Sequence, residues 1–177
     1  MPPPEPDPLK APDILLDSCV IQYIADKRIR NGLVPYLTDI LKRNHTLALS
    51  EITVYELLQG APITKEAELI DWIKVFKHYV VDLNVLVAAA RLRTFYDMNK
   101  LPQAQISDGD KIIAATSTLT GSLVLTANGN DFPRPFFIEV EQRQVYYSSK
   151  NIQKMITLQL LAPNHVVLTN FFSNRPK

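Results

Sequence analysis

The stretch that decides the fold is Ser107–Phe132, SDGDKIIAATSTLTGSLVLTANGNDF. Two acids, Asp108 and Asp110, open it, an apolar run with small neighbours follows, Gly121 interrupts it, and LVLT resumes before a polar turn. A side-chain oxygen at Ser107 or Asp108 satisfies the first free amides of a helix beginning near Gly109. Ile112, Ile113, Ala115, Thr116 and Leu119 give that helix one face able to pack closely on a sheet. Gly121 stops it, and Leu123 to Thr126 read as a short buried strand of a parallel sheet. An acid therefore stands at a helix start, and the strand after it delivers Asn128 and Asp131 at its carboxyl end. In open α/β sheets that edge is where ligands bind.

Working outward, the N-terminal residues 1–12 (MPPPEPDPLKAP) are half proline and are expected to form an extended leader. From Asp13 the character changes: DILLDSCVIQYI places three apolar residues before Asp17, the pattern of a central strand ending in a carboxylate. Such a carboxylate costs several kcal/mol unless it is paired or metal-bound, although it also fits the N-cap of a following helix. Cys19 beside it reads as core filler, with no base nearby in sequence to make it a nucleophile. Residues 31–43 form an amphipathic helix, and Thr46 to Leu49 a second strand. Ser50 is placed to cap a helix from Ile52 to Gln59. Glu51 needs no role beyond favouring the helix dipole. Glu56 lies mid-helix among Val54, Tyr55, Leu57 and Leu58, with no basic residue three or four places away. A helix over 64–77, a third strand in HYVVDLN, and a helix capped by Asn84 and running to about Asn99 complete the regular alternation. That alternation predicts a three-layer α/β/α fold with a central, mainly parallel sheet. FFIEVEQRQVYY reads as one or two strands and Ile156 to Leu161 as the final one. The expected organisation is a single domain over 13–170, with 136–155 as an insertion before the last strand and 171–177 as a tail.

Composition bounds the function classes. The chain has 177 residues, 46% of them hydrophobic, which is one ordinary domain with a sizeable core. Its net charge of +1 advertises no general affinity for nucleic acid, and its single cysteine excludes an internal disulfide. No signal-like or membrane-spanning apolar run is visible, so the expectation is a cytoplasmic protein without membrane association. The three histidines, His45, His78 and His165, lie in unrelated segments and do not form an acid–base pair in sequence. A glycine-rich phosphate turn after the first strand, needed for dinucleotide binding, is missing from DSCVIQ. An aspartyl phosphotransferase typically wants a second Asp where Cys19 stands, and a receiver domain would lack the late DKIIAA block.

What converges on the carboxyl edge is a set of oxygen donors: Asp17, Glu56, Asp110, and Asn128 with Asp131. Several ionised carboxylates share a site only with a cation between them. Hard oxygen ligands without histidine or thiolate select Mg²⁺ or Mn²⁺, which suit phosphate substrates.

These residues carry a resemblance. ILLDSCVIQYI, LSEITVYELLQG and DKIIAATSTLTGSLVLTANGNDF, in this order and spacing, resemble the PIN-domain ribonucleases, especially the VapC-like toxins of bacterial toxin–antitoxin pairs. The match covers roughly Asp13 to Phe132, with a weaker one for ITLQLLAP. The resemblance implies a Mg²⁺- or Mn²⁺-dependent endoribonuclease leaving a 5′-phosphate and a 3′-hydroxyl, with a cognate antitoxin and a homodimer as partners. It implies that Asp17, Glu56 and Asp110 hold the metal. The fourth position, acidic in many members, matches Asn128, a departure that bears on any second metal. Ser18 and Thr126 match supporting hydroxyl residues, and Asp131 is assigned to capping the turn before Phe132. Lys111, Arg134, Arg143 and Lys150 are the expected substrate contacts, the last two through the segment QRQVYYSSK. The alternative is a PIN-like module with weakened catalysis, serving as an RNA- or protein-binding platform.

Overall fold

The computed structural model describes residues 11–98 and 106–173; of the expected leader and tail, residues 1–10 and 174–177 lie outside it, as does Asn99, the expected end of the helix after the third strand. A six-stranded sheet in the order β3-β2-β1-β4-β6-β5 organises the chain. The strands are β1 (Ile14–Leu16), β2 (Leu47–Ser50), β3 (Lys77–Tyr79), β4 (Leu123–Thr126), β5 (Phe137–Ser149) and β6 (Ile152–Pro163). β3, β2, β1 and β4 are mutually parallel, whereas β6 is antiparallel to β4 and to β5. The helices are α1 (Ser18–Ala25), α2 (Lys27–Lys42), α3 (Glu51–Gly60), α4 (Glu66–Ile73), α5 (Leu83–Met98), α6 (Asp108–Thr120) and α7 (His165–Ser173). One hydrophobic cluster joins Ile14, Leu16 and Leu125 to α1, α2, Leu57 of α3 and Ile73 of α4. The other sets Val124, Phe137 and Leu161 against α5, α6 and Leu168 of α7. The sheet is thus buried on both faces, as its continuous apolar strands require.

Local chemistry explains several boundaries. Gly121 ends α6 at φ 68°, a left-handed residue that costs glycine no Cβ clash. α5 begins earlier than expected, because Asp82 and not Asn84 supplies the capping oxygen, accepting from the Val85 amide at 3.0 Å. The third strand is shorter than HYVVDLN: Val80 and Val81 leave the sheet, and the Val81 amide donates to Glu51 at 3.0 Å. At the opposite edge of the sheet from the carboxyl ends, buried Asp13 accepts from the Lys77 ammonium and from Tyr79 Oη, fastening β3 across to β1. Nothing in the sequence reading anticipated α7.

The largest departure is at the C-terminal side. The last strand begins at Ile152, not Ile156, and pairs along its whole length with β5. Lys150 and Asn151 make the connection with φ of 50° and 61°, the two positive values a tight hairpin turn demands. Because Thr126, the end of β4, pairs with Gln159, the arm built from residues 142–158 projects beyond the carboxyl edge of the parallel strands. One face of this arm lies on α2. Val145 is buried there, Arg43 pairs with Glu141 at 2.9 Å, and Arg28 reaches Ser149 at 3.3 Å.

Gly32 sits where α2 and the arm touch: an added Cβ would stand 2.9 Å from both the Tyr146 carbonyl oxygen and Val145 Cγ1. A backbone carbonyl cannot yield as a side chain does. Gly32→Ala should therefore destabilise the protein even though alanine favours the helix by about 1 kcal/mol. Hydrogen exchange should show protection lost first in β5; uniform protection with a raised melting temperature would contradict this contact.

Candidate active site

β1 delivers Asp17 at the carboxyl edge, 3% exposed and preceded by three wholly buried residues. It occupies the N-cap position of α1, but its carboxylate makes no capping bond. Thr126 Oγ1, from the end of the neighbouring β4, donates to Asp17 Oδ2 at 2.6 Å. Ser18 Oγ donates to Oδ1 at 3.4 Å and Cys19 Sγ to Oδ2 at 3.2 Å. Thr126 Oγ1 in turn accepts from the Asn128 amide at 2.8 Å, which fixes the start of the following turn. Cys19 is thus part of the site's framing as well as of the core. Its thiol is pushed up to about 12 by burial and by the Asp17 charge, which keeps it protonated as a donor.

α3 carries Glu56 in from β2. A Cβ on Gly109, in the first turn of α6, would land on Glu56 Oε1, so the missing side chain is what admits this acid. Burial raises the Glu56 pKa, opposed by a hydrogen bond from Ser18 and reinforced by Asp110 and Asp17. Ser50, expected to cap α3, makes no capping bond; its hydroxyl lies 3.3 Å from Thr116 Oγ1 and ties α3 to α6.

Asp110 belongs to a capping box. Ser107 Oγ accepts from the Asp110 amide at 3.1 Å, and the Asp110 carboxylate accepts from the Ser107 amide at 3.1 Å and from the Ser107 hydroxyl at 2.6 Å. Its pKa is raised, first by burial and then by Asp17, against the pull of the Ser107 bonds and Lys111.

After β4 the chain makes a single turn of 3-10 helix, Gly129–Asp131. This turn places Asp131 within electrostatic reach of Asp110 and Asp17, and burial with those two charges raises its pKa to about 6. Asn128 is exposed, and its side chain makes no capping bond to the turn. The structure therefore couples Asp17 with Glu56, Asp110 and Asp131, and sets the Asn128 carboxamide at the rim.

The basic residues divide. Lys111 is buried and its ammonium pairs with exposed Asp108 at 2.9 Å. Arg134 is exposed on the wall of a cleft that also includes Asp131. Arg143 lies on the α2 side of the arm, 5.7 Å from the centre of the Tyr36 ring, and Lys150 sits at the arm's tip. The last two are not brought to the acids.

All the converging donors are oxygens, the set that Mg²⁺ or Mn²⁺ prefers, and burial together with mutual repulsion raises the pKa of Glu56, Asp110 and Asp131. That is a fit in chemistry, although no three such side chains among the described residues are already spaced to hold an ion. Hydroxyl donors engage three of the acids instead: Thr126 holds Asp17, Ser107 holds Asp110, and Ser18 lies between Asp17 and Glu56.

Comparison with solved structures shows the same architecture. VapBC2 from Rickettsia felis, bound to a DNA fragment from its promoter, aligns at TM-score 0.57 and 20% identity over 67% of this chain and 90% of that one. FitAcB from Neisseria gonorrhoeae aligns at 0.54 and 26% over 67% and 91%, and DNA-bound VapBC from Salmonella typhimurium at 0.53 and 21% over 70% and 92%. The fold is the PIN-type α/β architecture of these solved structures. No family model matches the sequence, and no curated protein does. About a third of this chain lies outside each alignment.

The Asp131 carboxyl offers a direct check of the coupling. Its pKa is raised in the folded state, so the native protein holds a proton that the unfolded chain has lost, and stability falls as pH rises from about 4 to about 6. Asp131→Asn removes that dependence. In metal-free buffer the variant should gain on the unmodified protein across this window, by about 2–4 °C in melting temperature. A pH-independent difference would mean that Asp131 faces solvent away from the other acids.

Proposed function

We propose that this protein is a metal-dependent endoribonuclease of the PIN type, acting as the toxin of a toxin–antitoxin pair. The observation that carries the reading is the coupling of Asp17, Glu56, Asp110 and Asp131 at the carboxyl edge of a PIN-type sheet. Asp17 is the central ligand, since it couples to each of the other three and is fixed by Thr126. Asp110 and Glu56 complete the first metal position, with Mg²⁺ or Mn²⁺ as the ion. A bound divalent ion there supplies Lewis acidity toward a phosphodiester and its attacking water. Thr126, Ser107 and Ser18 hold the carboxylates in orientation, and Lys111 draws Asp110 toward its ionised form at neutral pH. Asp131, raised to about 6, is the acid best poised to exchange a proton near neutrality.

The fourth acidic role moves in this reading from Asn128 to Asp131. Asn128 stands two residues past β4 on the exposed side, whereas the 3-10 turn carries Asp131 back toward Asp17 and Asp110. A protein partner is supported by exposed apolar side chains at the start of α5 and just before it: Leu83, 74% exposed, with Val80, Leu86 and Val87. We assign this patch to contact with an antitoxin. Its homodimerisation and its place in the cytoplasm belong to the same proposal; no helix among the described residues is long and apolar enough to cross a membrane.

Purified protein with Mn²⁺ should cut single-stranded RNA, and Asp17→Asn should lower the rate by on the order of a thousandfold or more with the fold retained. Full activity in that variant would refute the metal site. In calorimetric Mn²⁺ titrations, Asp131→Asn should weaken binding more than Asn128→Ala; the reverse order would return the fourth position to Asn128.

A further inference from the structure

A cleft of about 500 Å³ opens beside Asp131 against β5 and β6, within the roughly 300–1,000 Å³ that ligand sites occupy. Its walls include Asp131, Arg134, Glu139 and Gln159 over a floor containing Phe137 and Leu161. A second hollow, of about 420 Å³, shares Asp131 and Gln159 with it and runs on to Asn128.

The polar groups at its inner wall are specific. Gln159 Nε2 donates to Glu139 Oε2 at 2.5 Å. Gln159 Oε1 occupies the space a side chain on Gly129 would need, so the amide is held against the turn that carries Asp131. Glu139 lies two residues after Phe137 and opposite Leu161, so it shares their face toward the cleft. One extra residue, Val140, then reverses the alternation, so that Glu141 turns to Arg43 on α2. A carboxylate in this position repels phosphate, so the group it receives is a hydrogen-bond donor. Among nucleobases, guanine alone presents two adjacent donors, N1–H and the N2 amino group, that match two carboxylate oxygens. Arg134 at the wall supplies a planar cation for stacking or for the neighbouring phosphate.

We infer that this cleft is a base-binding subsite that selects guanine, with Glu139 as the reading residue and Gln159 as the positioning residue that orients it. The inference rests on the ribonuclease reading for its biological meaning, since a base held beside Asp131 lies next to the phosphodiester to be cut. It concerns binding alone and needs no metal.

The test titrates the metal-free full chain with 5′-GMP, 5′-AMP, 5′-CMP and 5′-UMP, followed by amide chemical shifts. GMP should bind on the order of tenfold more tightly than the other three, with shifts concentrated around Gly129–Arg134, Glu139 and Gln159. Glu139→Gln should bring GMP to the level of the others while melting temperature and Mn²⁺ affinity stay unchanged. Equal affinity for all four, shifts elsewhere, selectivity surviving Glu139→Gln, or Mn²⁺ affinity falling in that variant would each overturn the assignment. Guanine-selective binding in a protein that cuts no RNA would overturn the nuclease reading and leave the subsite standing.

Discussion

Asp17 lies at the end of a strand whose three residues have no exposed surface, and its carboxylate is held by a hydroxyl from the adjacent strand. A charge in that position is tolerated only with donors aimed at it. Thr126 provides the closest, and it can do so only while Leu16 pairs with Leu125. The pairing of β1 with β4 and the orientation of the central acid are therefore one constraint. Glu56 depends on it in turn, since α3 leaves β2, and β2 is held in register against β1.

Around that point the fold accumulates like charge. Burial and mutual repulsion raise the pKa of Glu56, Asp110 and Asp131, which is a strain on the folded state. The apolar core on both faces of the sheet offsets it, and the capping box lets one carboxylate serve helix and site together. A local rule broken at one place and compensated elsewhere is what a functional site looks like.

Much of this was legible in the sequence wherever the signal was local. The apolar run before Asp17, the Ser107–Asp110 spacing and Gly121 each announce a strand end, a helix start and a helix stop within a few residues. The three-layer fold follows from repeating such units. Where the outcome depends on distant pairing, the sequence was mute. The Lys150–Asn151 turn lacks the glycine that marks a hairpin, so β5 and β6 did not declare themselves as partners. Asn128 and Asp131 differ only in which way one 3-10 turn points. Lys111, expected at the substrate, is 8% exposed on a helix whose neighbours are buried. Arg143, also expected at the substrate, has as its neighbour the Tyr36 ring on α2, more than a hundred residues away in sequence. Glu139 carried no signal, because the register opposite Leu161 that sets it at the cleft is a property of the pairing and not of the strand.

The antiparallel arm leads to a consequence for how such a chain can diversify. Its residues contribute no acid to the cluster, and it closes through its own two-residue turn. An insertion or deletion of one residue in each strand would keep the ladder in register while changing the arm's reach. A single-residue change in β5 alone would move or erase the bulge and so alter the local twist of the ribbon beside the cleft. Related chains could thus acquire new selectivity by small length changes in one peripheral ribbon, with the acid-bearing edge inherited intact.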